Sequence, residues 1–109
     1  MVEDTPDLKD LLEGVLRHAG FDVMSASTNS QAMEILEKFY PDILLTDCFL
    51  SGAGPMLAQV LRRSRPEMPI VVLSGDPVTA RKMLPEANVV LGKPVATAEL
   101  VQTLRGFVV

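Results

Sequence analysis

Apolar residues recur along this chain with two different periods, and the periods alternate. Residues Pro6 to Ala19, PDLKDLLEGVLRHA, place Leu8, Leu11, Leu12, Val15 and Leu16 at the three-and-four spacing of one helix face. Pro6 suits a first helical position, and Gly20 suits the position just past the end. FDVMSA, residues 21–26, reads as a short strand. A helix is predicted from Ser30 to about Phe39, with Asn29 as its N-cap and Met33, Ile35, Leu36 and Phe39 on its apolar side. Beyond Pro41-Asp42, Ile43 to Thr46 is a strand. Pro55 opens a helix running to about Arg65, with Met56, Leu57, Val60 and Leu61 inward. Pro69 to Leu73 is a second strongly apolar strand, Val78 to Leu84 a short helix, Asn88 to Leu91 a last strand, and Ala98 to about Phe107 a final helix.

The strands are apolar runs without polar alternation, and they alternate with helices. That pattern predicts an α/β domain, a parallel sheet covered by helices on both faces. Its 109 residues make one domain with a single core. In such folds ligands sit beyond the carboxyl ends of the strands. At those ends the sequence puts Asp47, Ser74 and Lys93, while Glu3 and Asp4 stand just before the first helix, where a preceding strand would end. Glu3, Asp4 and Asp47 together offer hard oxygen ligands that repel one another unless a cation joins them, and Mg²⁺ suits such a set. An aspartate beside Mg²⁺ is a nucleophile towards phosphorus. Lys93 supplies a positive charge to a phosphoryl oxygen and Ser74 a hydroxyl donor to another. The strand ending at Thr46 is followed by an acid because that edge is the site.

Charge and composition narrow the picture. Ten Lys and Arg against fourteen Asp and Glu give a net charge of −4, which argues against a dedicated nucleic-acid module. The single cysteine, Cys48, excludes an internal disulfide and points to a reducing, cytoplasmic setting. No apolar run approaches a bilayer span, and an N-terminus acidic from Glu3 is no signal peptide. His18, in the last turn of the first helix, reads as a cation suited to the helix dipole. Cys48 reads as an inert thiol turned away from the site.

Taken together, "VEDTPDL", "AGFDV", "PDILLTD", "PIVVLSG" and "GKP", in this order and spacing, resemble the receiver domain of two-component response regulators. The resemblance implies a flavodoxin-like, doubly wound sheet of strand order 2-1-3-4-5. It implies that Asp47 is the phosphoacceptor, that Glu3 and Asp4 are the Mg²⁺-binding acidic pair, and that the Phe49 backbone carbonyl is a further ligand. Ser74 takes the switch position, Lys93 the lysine position, and the Lys93-Pro94 bond is expected to be cis. The implied role is a signalling module rather than an enzyme, taking a phosphoryl group from a histidine kinase or a histidine phosphotransfer protein. No direct nucleic-acid or membrane binding is implied, and homodimerisation stays open.

Three departures from the family pattern stand out. Only Met1 and Val2 precede Glu3, so most of the first strand is missing from this sequence, and a normal ladder is not expected there. A free Met1 ammonium would lie near the acidic pair and compete with Mg²⁺. The loop DCFLSGAGP has Ser51 where the family favours proline and Gly54-Pro55 where it favours Asp-Gly. Val90 stands where family members often carry Tyr or Phe. These departures keep a second reading alive, a degenerate receiver acting as a phosphorylation-independent interaction or dimerisation module. A haloacid-dehalogenase-like phosphatase is set aside, because Phe49 occupies the position of its second aspartate and cannot transfer protons. The chain ends at LRGFVV, with no room for an output domain, so it is expected to be a stand-alone regulator or a part of a larger protein such as a hybrid kinase.

Overall fold

The computed structural model describes residues 1–47 and 56–108. Helices α1 (Pro6–His18), α2 (Asn29–Lys38), α3 (Met56–Ser64), α4 (Pro77–Met83) and α5 (Thr97–Arg105) alternate with strands β1 (Leu44–Asp47), β2 (Ile70–Ser74) and β3 (Val89–Gly92) after the first two helices. The strands form a parallel sheet of order β1-β2-β3, with Leu44 opposite Ile70 and Val71 opposite Val89.

Alternation along the strands builds two cores. Leu44, Ile70, Val72 and Val90 pack with Leu36 of α2, Leu57 and Leu61 of α3 and Ala80 of α4. Leu45, Val71, Leu73 and Leu91 face the other way, against Leu12 and Leu16 of α1 and Leu100 and Leu104 of α5. β2 is buried along its whole length, because it has a strand on each side and helices above and below.

Several boundaries differ from the sequence expectation. The cap of α2 is Thr28, whose hydroxyl accepts the Gln31 N–H at 3.1 Å, and Asn29 is the first helical residue. Leu11 is 58% exposed, as the buried stripe of α1 narrows to Leu12 and Leu16. Met33, Phe39 and Val60 are also exposed, while Ala32 and Ala58 are buried in their place. Small residues let α2 and α3 approach the sheet closely, which turns the larger neighbours outward.

The N-terminal half of the sheet departs furthest. Val2 is bridged in parallel to Ala26 on one side and Thr46 on the other. It donates its N–H to the Leu45 carbonyl at 2.8 Å and accepts the Asp47 N–H at 2.9 Å. Glu3 donates to the Ala26 carbonyl at 3.0 Å, and Ala26 donates to that of Met1 at 2.9 Å. Across the sheet the order is therefore Ala26, Val2, β1, β2, β3, which is the order expected from the sequence, with the first two places held by single-residue bridges. Residues 21–25 form no regular strand, unlike the sequence expectation. Among the described residues their strand-like pairing is one bond, from the Met1 amine to the Met24 carbonyl, and an extended segment so sparsely paired has no register to hold.

Candidate functional site

The fold brings the sequence-predicted side chains to the carboxyl edge of the sheet. Asp47 ends β1, Ser74 ends β2 and Lys93 follows β3 directly. Glu3 reaches the same edge because the two-sided bridge at Val2 sets the strand direction there. The chain then turns into α1, where Pro6 fixes the start and Glu3 Oε1 accepts the Thr5 N–H at 3.2 Å.

Oxygens of Glu3, Asp4 and Asp47 lie within 4.8 Å of one another. Lys93 Nζ lies 3.0 Å from Asp47 Oδ2 and 3.3 Å from Glu3 Oε2. The Glu3 side chain is 1% exposed, a burial that a carboxylate tolerates only with a partner charge. Lys93 is that partner, and it spans 90 residues of sequence to reach Glu3. Burial pushes its ammonium down, but the hydrogen bond and charge of Asp47, followed by those of Glu3, outweigh this and raise its pKa above the usual 10.5.

Ser74 is buried on the same edge, and its hydroxyl accepts the Asp76 N–H at 3.0 Å. Its backbone carbonyl accepts the Lys93 N–H at 2.8 Å, which ties Ser74 to the lysine through the main chain. The Lys93-Pro94 peptide is cis, as expected. Phe49, Cys48 and the loop through Pro55 lie outside the described residues.

The Met1 amine is not where the sequence reading put it. It donates to the Met24 carbonyl at 2.8 Å, on the far side of Val2 from the acidic edge. Burial lowers its pKa to about 6, and the charge that partly opposes this is that of Glu13. Asp76, absent from the predicted set, caps α4 through the Thr79 N–H and hydroxyl, and these bonds hold its carboxyl below 3.8. Asp76 followed by Pro77 is a cap-and-first-turn signature that was legible in the sequence.

The donor set fits a hard divalent cation. Mg²⁺ binds oxygens at about 2.1 Å, so its ligands sit about 3 to 4 Å apart. The three carboxylates need little closure to meet that spacing, and among the described residues this cluster offers oxygen donors alone.

The fold is a parallel α/β sheet with an acidic triad and a lysine on its carboxyl edge. Residues 1–105 match the response regulator receiver domain family, and the chain belongs to it. Solved structures agree on the fold. A CheY-like receiver domain protein from Methanospirillum hungatei JF-1 is 20% identical with a TM-score of 0.90, over 96% of this chain and 87% of that one. The response regulator TrrA from Thermotoga maritima, solved in complex with Mg(2+)-BeF, is 18% identical with a TM-score of 0.90, over 98% and 95%. A sensor protein from Polaromonas sp. JS666 is 26% identical with a TM-score of 0.87, over 96% and 90%. Among the described residues no helix is long and apolar enough to cross a membrane.

Proposed function

We propose that Asp47 accepts a phosphoryl group from the phosphohistidine of a histidine kinase or histidine phosphotransfer protein. The observation that carries this reading is the placement of Lys93 Nζ between Asp47 and Glu3 on an edge that also holds Asp4. The Asp47 carboxylate attacks phosphorus, and the phosphorus–nitrogen bond breaks. Its electron pair leaves with the imidazole nitrogen, and the product is an acyl phosphate. Glu3, Asp4, Asp47 and the Phe49 carbonyl would hold Mg²⁺, which neutralises charge on the phosphoryl oxygens when bound.

The chain's own groups do the rest. Lys93, already held at the carboxylates, moves its charge onto a phosphoryl oxygen. The Ser74 hydroxyl donates to a second oxygen, exchanging its contact with Asp76 for one with the phosphoryl group. Phosphorylation then shifts the population between two conformations of the Ser74–Asp76 turn and the β3–α5 connection. The domain works in signalling rather than metabolism, in a cytoplasmic setting.

The test is incubation with acetyl phosphate, with and without Mg²⁺, followed by intact-mass measurement and an Asp47→Ala control. A Mg²⁺-dependent adduct that the control lacks supports the reading. A folded protein that takes no adduct supports instead the phosphorylation-independent interaction module.

A further inference from the structure

The outer face of α1 is exposed along its whole length. Asp7, Asp10, Leu11, Gly14, Arg17 and His18 lie on it at the three-and-four spacing of one helical stripe. The opposite face, with Leu12 and Leu16, is buried on the sheet. Two residues of the stripe are out of place on a merely solvated surface. Leu11 is 58% exposed, and among the described residues it is the only exposed leucine. Gly14 stands in mid-helix, where glycine costs about 1 kcal/mol relative to alanine. Its backbone is not left-handed, and among the described residues a Cβ added there would meet nothing within 4 Å. The chain's own fold therefore does not require this glycine. It leaves a hollow on the helix surface one turn from a projecting leucine.

The charges on the stripe have a direction. Asp7 and Asp10 lie on its N-terminal half, Arg17 and His18 on its C-terminal half. Asp10 and Arg17 are roughly 10 Å apart along the axis, so they do not meet within one helix. Among the described residues neither aspartate makes an ion pair, and Arg17 uses one N–H on the Val23 carbonyl at 3.2 Å. A second copy laid antiparallel across the first complements each of these features. With the two-fold axis between Leu11 and Gly14, each Leu11 sits over the other copy's Gly14. Each Asp7 then faces the other copy's His18, and each Asp10 lies beside the other copy's Arg17. A parallel pairing would set Asp10 against Asp10 and leave one glycine over another.

We propose that this face of α1 is a self-association surface, an antiparallel α1–α1 contact between two copies of the chain. The glycine admits the leucine and lets the two backbones come close, and the charges fix the direction. Six residues are far fewer than the roughly 20 to 30 a side of a standard interface, so the contact is weak and reversible. It does not rest on the phosphoacceptor reading, because no residue of the stripe belongs to the acidic edge.

The test is sedimentation equilibrium of the 109-residue chain up to about 1 mM, a range that covers weak dimers, with amide chemical shifts followed on dilution. A dimer is expected, with shifts centred on the stripe. Gly14→Ala is expected to melt no lower than the wild type and to dimerise about tenfold more weakly. Asp10→Arg and Arg17→Asp are each expected to stay monomeric alone and to form a heterodimer when mixed, since only the mixture sets arginine against aspartate on both flanks. Asp47→Ala is expected to dimerise as the wild type does. A chain that stays monomeric at about 1 mM overturns the proposal and leaves the stripe to a foreign helix. It is equally overturned by a dimer that Gly14→Ala leaves as strong as before, by mixed charge variants that stay monomeric, or by dilution shifts that lie outside α1.

Discussion

Lys93 holds two carboxylates at once, so its loss acts twice. Lys93→Ala leaves the buried Glu3 without its partner charge and Asp47 without the group we assign to the phosphoryl oxygen. Losing one donor at a developing charge lowers rates by about 10²-fold, and a drop of that size is expected in phosphorylation by acetyl phosphate, followed by mass. The same lysine sets an alkaline limit. Its pKa is raised in the folded state, so its contribution to stability is complete below the ordinary 10.5 and is lost as pH climbs past the raised value. Chemical denaturation above pH 10.5 is expected to show a decline that Lys93→Ala lacks. Asp76 gives the opposite sign. Its carboxyl is held below 3.8, so its contribution is present above that pH and is lost as pH falls through the lowered value. Acid titration of Asp76→Asn is expected to lack that share of the loss.

Among the elements, the caps and the buried stripes carry most of the local stability. Thr28→Ala removes the acceptor for the Gln31 N–H and is expected to cost about 1 kcal/mol in a urea melt. Leu100 is fully buried on α5 against the β2 face, and Leu100→Ala is expected to cost roughly 2 to 5 kcal/mol in the same measurement. The strands β1, β2 and β3 were legible because unbroken apolar runs ending in turn residues have few other solutions. The gathering of Asp47 and Lys93 on one edge was legible for the same reason, since strand ends of a parallel sheet share that edge. The contact between Lys93 Nζ and Glu3 was not, because no local spacing encodes a pair that only the folded sheet brings together. The cap of α2 was misplaced by one residue, since Thr28 and Asn29 both accept at an N-cap and only the backbone angles decide between them. Residues 21–26 had the composition of a strand, but a strand also needs a neighbour, and that requirement is invisible in the stretch itself.

Taken whole, the molecule has a firm side and a loose side. β2 is buried throughout and paired along both edges, whereas residues 21–25 are tied in by scattered bonds, Phe21 N–H to the Leu16 carbonyl, Arg17 to the Val23 carbonyl and the Met1 amine to the Met24 carbonyl, beside the Ala26 bridge. Native-state hydrogen exchange is expected to rank the Val71 and Val72 amides among the slowest and those of residues 22–25 among the fastest outside the helix ends. Two arginines reinforce the far rim: Arg65 reaches the Leu36 and Phe39 carbonyls and stacks 4.4 Å from the Tyr40 ring, and Arg62 binds the Glu86 and Met68 carbonyls. The loose side is therefore confined to one seam, at Val2. That seam and the acidic pair are consecutive in the chain. Whenever residues 1–3 detach from their neighbours, Glu3 and Asp4 leave Asp47 and Lys93 in the same motion. On the phosphoacceptor role proposed above, an open seam parts the acidic pair from Asp47 and Lys93, and the fraction of time the seam stays shut sets the ceiling on the rate of phosphorylation.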